Sequence, residues 1–274
     1  MNTPDLDKLC IHTITTKPWS LEEAVDNYQA AGVNAISVWR DAAAAMGFAK
    51  AGDRLRTAGM EVVSYVRGGF FPHTEARDRQ EAIDHNLALL DEAAAVGAPM
   101  LVLVCGAAPG QTLETSRAQI QAGIEAIIPR AESVGVKLAI EPLHPMYADT
   151  RSAINTLASA NEVAEAINSP MVGIAVDVYH VWWEPGLEAQ IERCGEKKNL
   201  FAFHICDWKV PTLDFLNDRG LMGEGCIPVR QIREWVEQAG FTGYNEVEIF
   251  SNHYWSQDQH TFLHHIIHAY QQYS

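Results

Sequence analysis

Residues 133–142 read SVGVKLAIEP, and this short phrase decides the fold. A helical stretch stops at Gly135, an apolar run follows, and Glu141 and Pro142 close it. Glycine just past a helix takes the left-handed cap conformation cheaply. An apolar run with little alternation, bounded by Gly and Pro, is the pattern of a parallel strand buried on both faces. The phrase recurs as AAGVNAISVW around Gly32, TAGMEVVSYV around Gly59, AVGAPMLVLV around Gly97 and QAGFTGYNEVEI around Gly240. KLCIHTI from Lys8, MVGIAVD from Met171 and NLFAFHI from Asn199 complete the series. The strands are thus expected over 8–14, 33–38, 60–66, 100–105, 136–141, 171–177, 200–206 and 244–249. Helical patterns begin near residues 20, 42, 74, 112, 152, 184, 228 and 256. The first carries a capping box, with Glu23 three residues after Ser20. Such an alternation closes most simply into an α/β fold, a (β/α)8 TIM barrel, as a single domain over 1–274. An open doubly wound sheet would call for a Gly-rich phosphate turn after the first strand, and IHTITTKPW has none.

Four strands end in a polar residue: Glu141 in KLAIEP, Asp177 in GIAVDV, His204 in LFAFHIC and Glu248 in NEVEIF. Such groups are costly to bury unless something compensates them. Carboxylates and an imidazole converging at one end of a barrel make a divalent-cation site. The mostly hard donor set suits Mn²⁺ first, with Mg²⁺, Co²⁺ or Zn²⁺ as alternatives. Glu246 and Glu248 point the same way on a strand, so either could be the last ligand. The loops after the strands carry His12, Trp39, Arg40, Arg67, His144, His180, Asp207 and Lys209. Aromatic faces pack on sugar C–H groups, while His, Asp and Arg bind hydroxyls. A sugar or polyol pocket is therefore expected, with rings that only cap the core as the bland alternative. Arg40 and Arg67 are candidates for a phosphate or carboxylate, and GEGCIP could offer backbone N–H groups. His144 could orient a ligand, bind a hydroxyl or merely cap its loop.

The chain has 274 residues, 47% hydrophobic, with a net charge of −15. An acidic surface repels phosphate backbones, so no nucleic-acid partner is expected. The odd, scattered set of five cysteines reads as reduced thiols, hence a cytoplasmic location. No secretory signal or membrane span is visible. A homo-oligomer is compatible with such a barrel.

IEPLHP, VDVYH, FHICDW, GEGCIP and VEIF, in this order, resemble the xylose isomerase-like sugar phosphate isomerase/epimerase superfamily. The resemblance implies one divalent metal held by Glu141, Asp177, His204 and Glu248, the last preferred over Glu246 because VEIF carries the match. It implies substrate contacts for His180 and a role for Asp207, with Lys209 an approximate match. The metal would stabilise an enediolate oxygen while Glu141 and Glu248 move protons to and from carbon. The expected function is isomerisation or epimerisation of a ketose or keto-polyol. Loss of a β-hydroxyl would make a dehydratase acting on a keto-sugar or keto-inositol. The apurinic-site endonuclease branch needs further histidines and a basic groove. The ketose 3-epimerases carry an acid six residues after the first ligand, where Tyr147 stands here, which speaks against a free ketose.

Overall fold

Alternation along each apolar run sets both faces of the barrel wall. In KLAIE, Leu138 and Ile140 turn outward to pack under the helices, while Ala139 turns into the lumen. Each large side chain so buried stabilises the fold by about 1.5–3 kcal/mol. The computed structural model describes residues 4–274. Its strands are β1 Leu9–His12, β2 Ala35–Trp39, β3 Glu61–Gly69, β4 Met100–Val104, β5 Lys137–Glu141, β6 Val172–Asp177, β7 Leu200–Ile205, β8 Asp207–Trp208, β9 Arg219–Gly220 and β10 Asn245–Val247. The closed barrel runs β1-β10-β7-β6-β5-β4-β3-β2 and back to β1. All its pairings are parallel. Strands β8 and β9 form a separate antiparallel ribbon over its mouth.

The helices are α1 Leu21–Ala30, α2 Arg40–Met46, α3 Phe48–Ala58, α4 Ala76–Val96, α5 Leu113–Val134, α6 Leu157–Ile167, α7 Val178–Val181, α8 Leu187–Glu196, α9 Val229–Gln238, α10 Asn252–Trp255 and α11 Gln259–Tyr273. The Ser20–Glu23 capping box forms as expected. Helices α4 and α5 end on left-handed Gly97 and Gly135, as the repeated phrase requires.

The lumen is filled by Val66, Met100, Val102, Ala139, Ala175 and Ala202. Those small side chains leave room above them for the polar layer. Several boundaries differ from expectation. The second helix is broken by Gly47 at φ 90° into α2 and α3. Residues 152–155 are irregular and α6 starts only after the Thr156 cap, because Ser152 and Asn155 bond to backbone carbonyls instead. The last barrel strand is short, though Glu248 N still donates to Ile205 O at 3.1 Å.

Candidate metal centre

Glu141, Asp177, His204 and Glu248 meet at the C-terminal mouth of the barrel. One ligand atom from each lies within 4.8 Å of all the others. Glu141 and Asp177 are the last residues of β5 and β6, His204 lies in β7, and Glu248 follows β10. All four are buried. His204 Nδ1 lies 3.0 Å from Glu141 Oε1. Asp177 Oδ1 accepts from Tyr179 N at 2.8 Å, leaving Oδ2 to face the cluster. Arg219, buried on β9, puts Nη1 3.1 Å from Asp177 Oδ2 and 2.8 Å from Glu248 Oε2. It gathers two carboxylates that would otherwise repel.

Electrostatics show a cluster short of positive charge. Burial, with Glu248 and Glu141 nearby, pushes Asp177 up to about 7 against the pull of Arg219. Burial opposes charge on His204, but Glu246 and Glu141 outweigh it and raise His204 to about 10. Burial also opposes charge on Glu248, yet His12 and Arg219 hold its carboxyl well below the usual range. A buried site that recruits this much cationic character suits a divalent ion. Its donors are the right chemistry for one.

A second polar layer lies directly beneath. Glu246 Oε2 accepts from Ser37 Oγ at 2.6 Å and Ser64 Oγ at 3.1 Å, and lies 3.1 Å from His12 Nε2. Nδ1 of His12 is 3.2 Å from both Trp39 Nε1 and Glu248 Oε1. A neutral ring there accepts from Trp39, whereas an imidazolium donates to Glu248. Nε2 of His204 has no hydrogen-bond partner and stands 3.8 Å from Glu246 Oε2. A histidine offering one nitrogen to a metal and aiming the other at a carboxylate is a common supporting arrangement. The structure therefore puts Glu248 in the upper cluster and Glu246 under it. His12, His204 and Glu246 form a further group with ligand spacing.

The other expected residues divide. His180 borders the cluster, with Nε2 3.3 Å from Arg219 Nη2 and 3.6 Å from Asp177 Oδ2, and Nδ1 accepting from His144 N at 3.3 Å. Burial, then Arg219, lowers its pKa well below normal and keeps it neutral. Trp39 and Arg67 line the pocket above the cluster with Tyr147, Arg151 and Phe250. His144 does not line that pocket. Its Nδ1 accepts from Met146 N at 3.2 Å, so it caps a short turn, and burial lowers its pKa. Lys209 is drawn away by Asp218 at 3.0 Å.

The Asp207 side chain, expected near substrate, is taken up by backbone amides. Its Oδ1 accepts from Trp208 N and Ile227 N, and its Oδ2 from Gly223 N and Gly225 N, at 2.8–3.0 Å. Those bonds fill the carboxylate and also use the N–H groups that GEGCIP had offered to a phosphate. Arg40 likewise is a bidentate partner of Glu92 at 2.8 Å and does not line the pocket over the cluster. Sequence reasoning missed Arg219, which lies on the two-residue strand β9, too short to carry a periodic or spacing signal.

The mouth is nearly closed, with a cavity of about 30 Å³ over the cluster. Leu216 reaches into it, and the preceding Phe215 carbonyl accepts from Tyr147 Oη and Tyr179 Oη, each at 2.8 Å.

A family model described as xylose isomerase-like TIM barrel matches residues 25–265. The chain belongs to that family. A crystal structure of protein SMc04130 from Sinorhizobium meliloti 1021 shares 45% identity and a TM-score of 0.94, over 97% of this chain and 98% of that one. Within the family fold, a structure of IOLI protein with a binding zinc atom superposes at TM-score 0.83 with 19% identity, over 96% of each chain. An inosose isomerase of Bacillus subtilis (strain 168) is 28% identical over 128 residues, 46% of this chain and 44% of that protein. An inosose isomerase of Halalkalibacterium halodurans is 25% identical over 191 residues, 68% of this chain and 65% of that protein. The chain thus spans less than two thirds of the length of these curated relatives. Among the described residues, no helix is long and apolar enough to cross a membrane.

Proposed function

We propose that this chain is a divalent-metal-dependent isomerase or epimerase of a sugar or keto-polyol. The observation that carries the reading is the convergence of Glu141, Asp177, His204 and Glu248 at the barrel mouth, two of them glutamates on separate strands. These four would hold the ion. When bound, it supplies Lewis-acid stabilisation of negative charge on substrate oxygen. The hard donor set favours Mn²⁺, with Mg²⁺, Co²⁺ and Zn²⁺ as alternatives. The zinc atom in the IOLI structure is compatible with the last of these.

Glu141 and Glu248 are the proton-moving groups. One takes a proton from the carbon beside the carbonyl, and the other returns a proton to carbon or oxygen. Glu248 is kept anionic by His12 and Arg219, as a base must be. Neutral His180 holds a substrate oxygen, while Trp39, Tyr147 and Phe250 wall out water. The match to inosose isomerases supports a cyclic keto-polyol as the first substrate to try. Small-molecule chemistry also agrees with the net charge of −15, which disfavours nucleic acid.

The test is incubation of Mn²⁺-loaded protein with keto-inositols and ketoses in deuterated water. Deuterium on carbon without loss of water supports isomerisation or epimerisation. Loss of water makes the chain a dehydratase. Glu141→Gln and Glu248→Gln should each lower exchange by about 10²–10⁴-fold in a folded protein. Full exchange in either variant removes that residue from the chemistry.

A further inference from the structure

We propose that Arg67 and Arg151 form an anion-binding pair beside the metal cluster, so that the substrate carries a carboxylate or phosphate group. This deepens the proposed function by narrowing the sugar or keto-polyol to its acid or phosphate derivatives, and rests on it for the word substrate. Both arginines line the pocket that also exposes Glu141 and Glu248. Among the described residues neither guanidinium has a carboxylate within salt-bridge distance or a hydrogen-bond partner, the bonds of Arg151 to Tyr147 and Gly106 being made by its backbone. The cations around them are all committed: Arg219 to Asp177 and Glu248, Lys209 to Asp218, and Arg40 to Glu92.

Ring faces hold the two side chains instead. The Arg67 guanidinium carbon lies 5.8 Å from the Trp39 ring centre and 5.0 Å from that of Phe70, and that of Arg151 lies 5.6 Å from Tyr147. Stacking on a ring fixes the guanidinium plane and leaves its N–H edge free. That edge is the one that binds carboxylate or phosphate in a fork. Arg67, Trp39 and Val66 also line a neighbouring cavity of about 290 Å³, which gives a larger ligand somewhere to extend.

The charge count points the same way. Three carboxylates in the cluster would be balanced by Arg219 and a bound divalent ion. Nothing is then left over for Arg67 and Arg151. Burial and the mutual repulsion of the two arginines make Arg67 easier to deprotonate, despite some help from Glu141, Glu248 and exposed Asp41. Among the described residues no carboxylate forms an ion pair with either arginine, although Glu141 and Glu248 share their pocket. An anionic oxygen group from the substrate would relieve the repulsion.

The probes are inorganic phosphate and acetate, titrated calorimetrically into the Mn²⁺-loaded full chain, with glycerol as the neutral control. Expected is saturable anion binding that Arg67→Gln and Arg151→Gln each weaken at least tenfold. Arg67→Lys should fall between, since it keeps the charge and loses the fork. Arg77→Gln, at an exposed position of α4, should bind as the unaltered chain does. Preference for phosphate or for acetate assigns the group. Binding that is absent, or equal in folded Gln variants, overturns the anion pair. Mn²⁺ content of the same samples reports separately on the metal reading. Arginine-dependent anion binding in protein that takes up no Mn²⁺ supports the pair and sinks the metal centre.

Discussion

Asp207→Asn separates an anchor from a substrate contact. The carboxylate accepts four backbone N–H groups, two on each oxygen, and ties the 223–227 turn to the start of the β8–β9 ribbon. An amide keeps one oxygen and turns the other into a donor facing two donors. Two bonds to a charged group are lost, worth about 1.5–3 kcal/mol each. Part of that is offset, because the carboxylate is buried and its pKa is raised by burial despite the four bonds. Removing the charge therefore recovers some desolvation, and the net loss should be about 2–4 kcal/mol. A domain of this kind has about 5–15 kcal/mol in all, so the effect is large. Urea unfolding followed by circular dichroism, on metal-free and Mn²⁺-loaded protein, measures it. The midpoint should fall with an unchanged slope. KM of folded protein should shift little, since no oxygen of Asp207 is free to meet substrate. An unchanged midpoint with a raised KM would refute the reasoning and restore Asp207 to the substrate site.

Two further outcomes follow from the layers around the cluster. Glu246→Gln removes the charge opposite His204 and weakens the hold on His12, so affinity for Mn²⁺ should drop about 10–100-fold with the four upper residues intact. Calorimetric titration checks this, and unaltered affinity would show that the lower layer supports only the fold. Tyr179→Phe deletes one of the two hydroxyls on the Phe215 carbonyl, at a cost of about 0.5–1.5 kcal/mol, confined to that segment. Amide exchange over 210–218 should quicken without a change in global unfolding, and exchange at the original rate would show that the tyrosine is no latch.

The barrel was legible because its wall is written in local terms. Each Gly-ended helix followed by an apolar run names a βα unit, and closure follows from their number. Glu141, Asp177, His204 and Glu248 were legible for a related reason. A charge at the end of an otherwise apolar strand is too costly to be there by accident. Alternation alone could not choose between Glu246 and Glu248, since both face the lumen. The folded structure sets Glu248 beside Arg219 and Glu246 among His12, Ser37 and Ser64.

Loop residues obey no such period. Asp207 and Lys209 follow β7 closely in sequence, yet the chain turns them toward backbone amides and Asp218. Arg219 lies 42 positions from Asp177 and still touches it. Arg67 and Arg40 looked alike as sequence, and only Glu92 on α4 tells them apart. The sequence by itself thus determined the barrel and the buried acids and imidazole at its mouth, because burial energy acts on each strand separately. Tertiary structure decided which loop charges are spent and which face the pocket, because pairing depends on distances that no local pattern encodes.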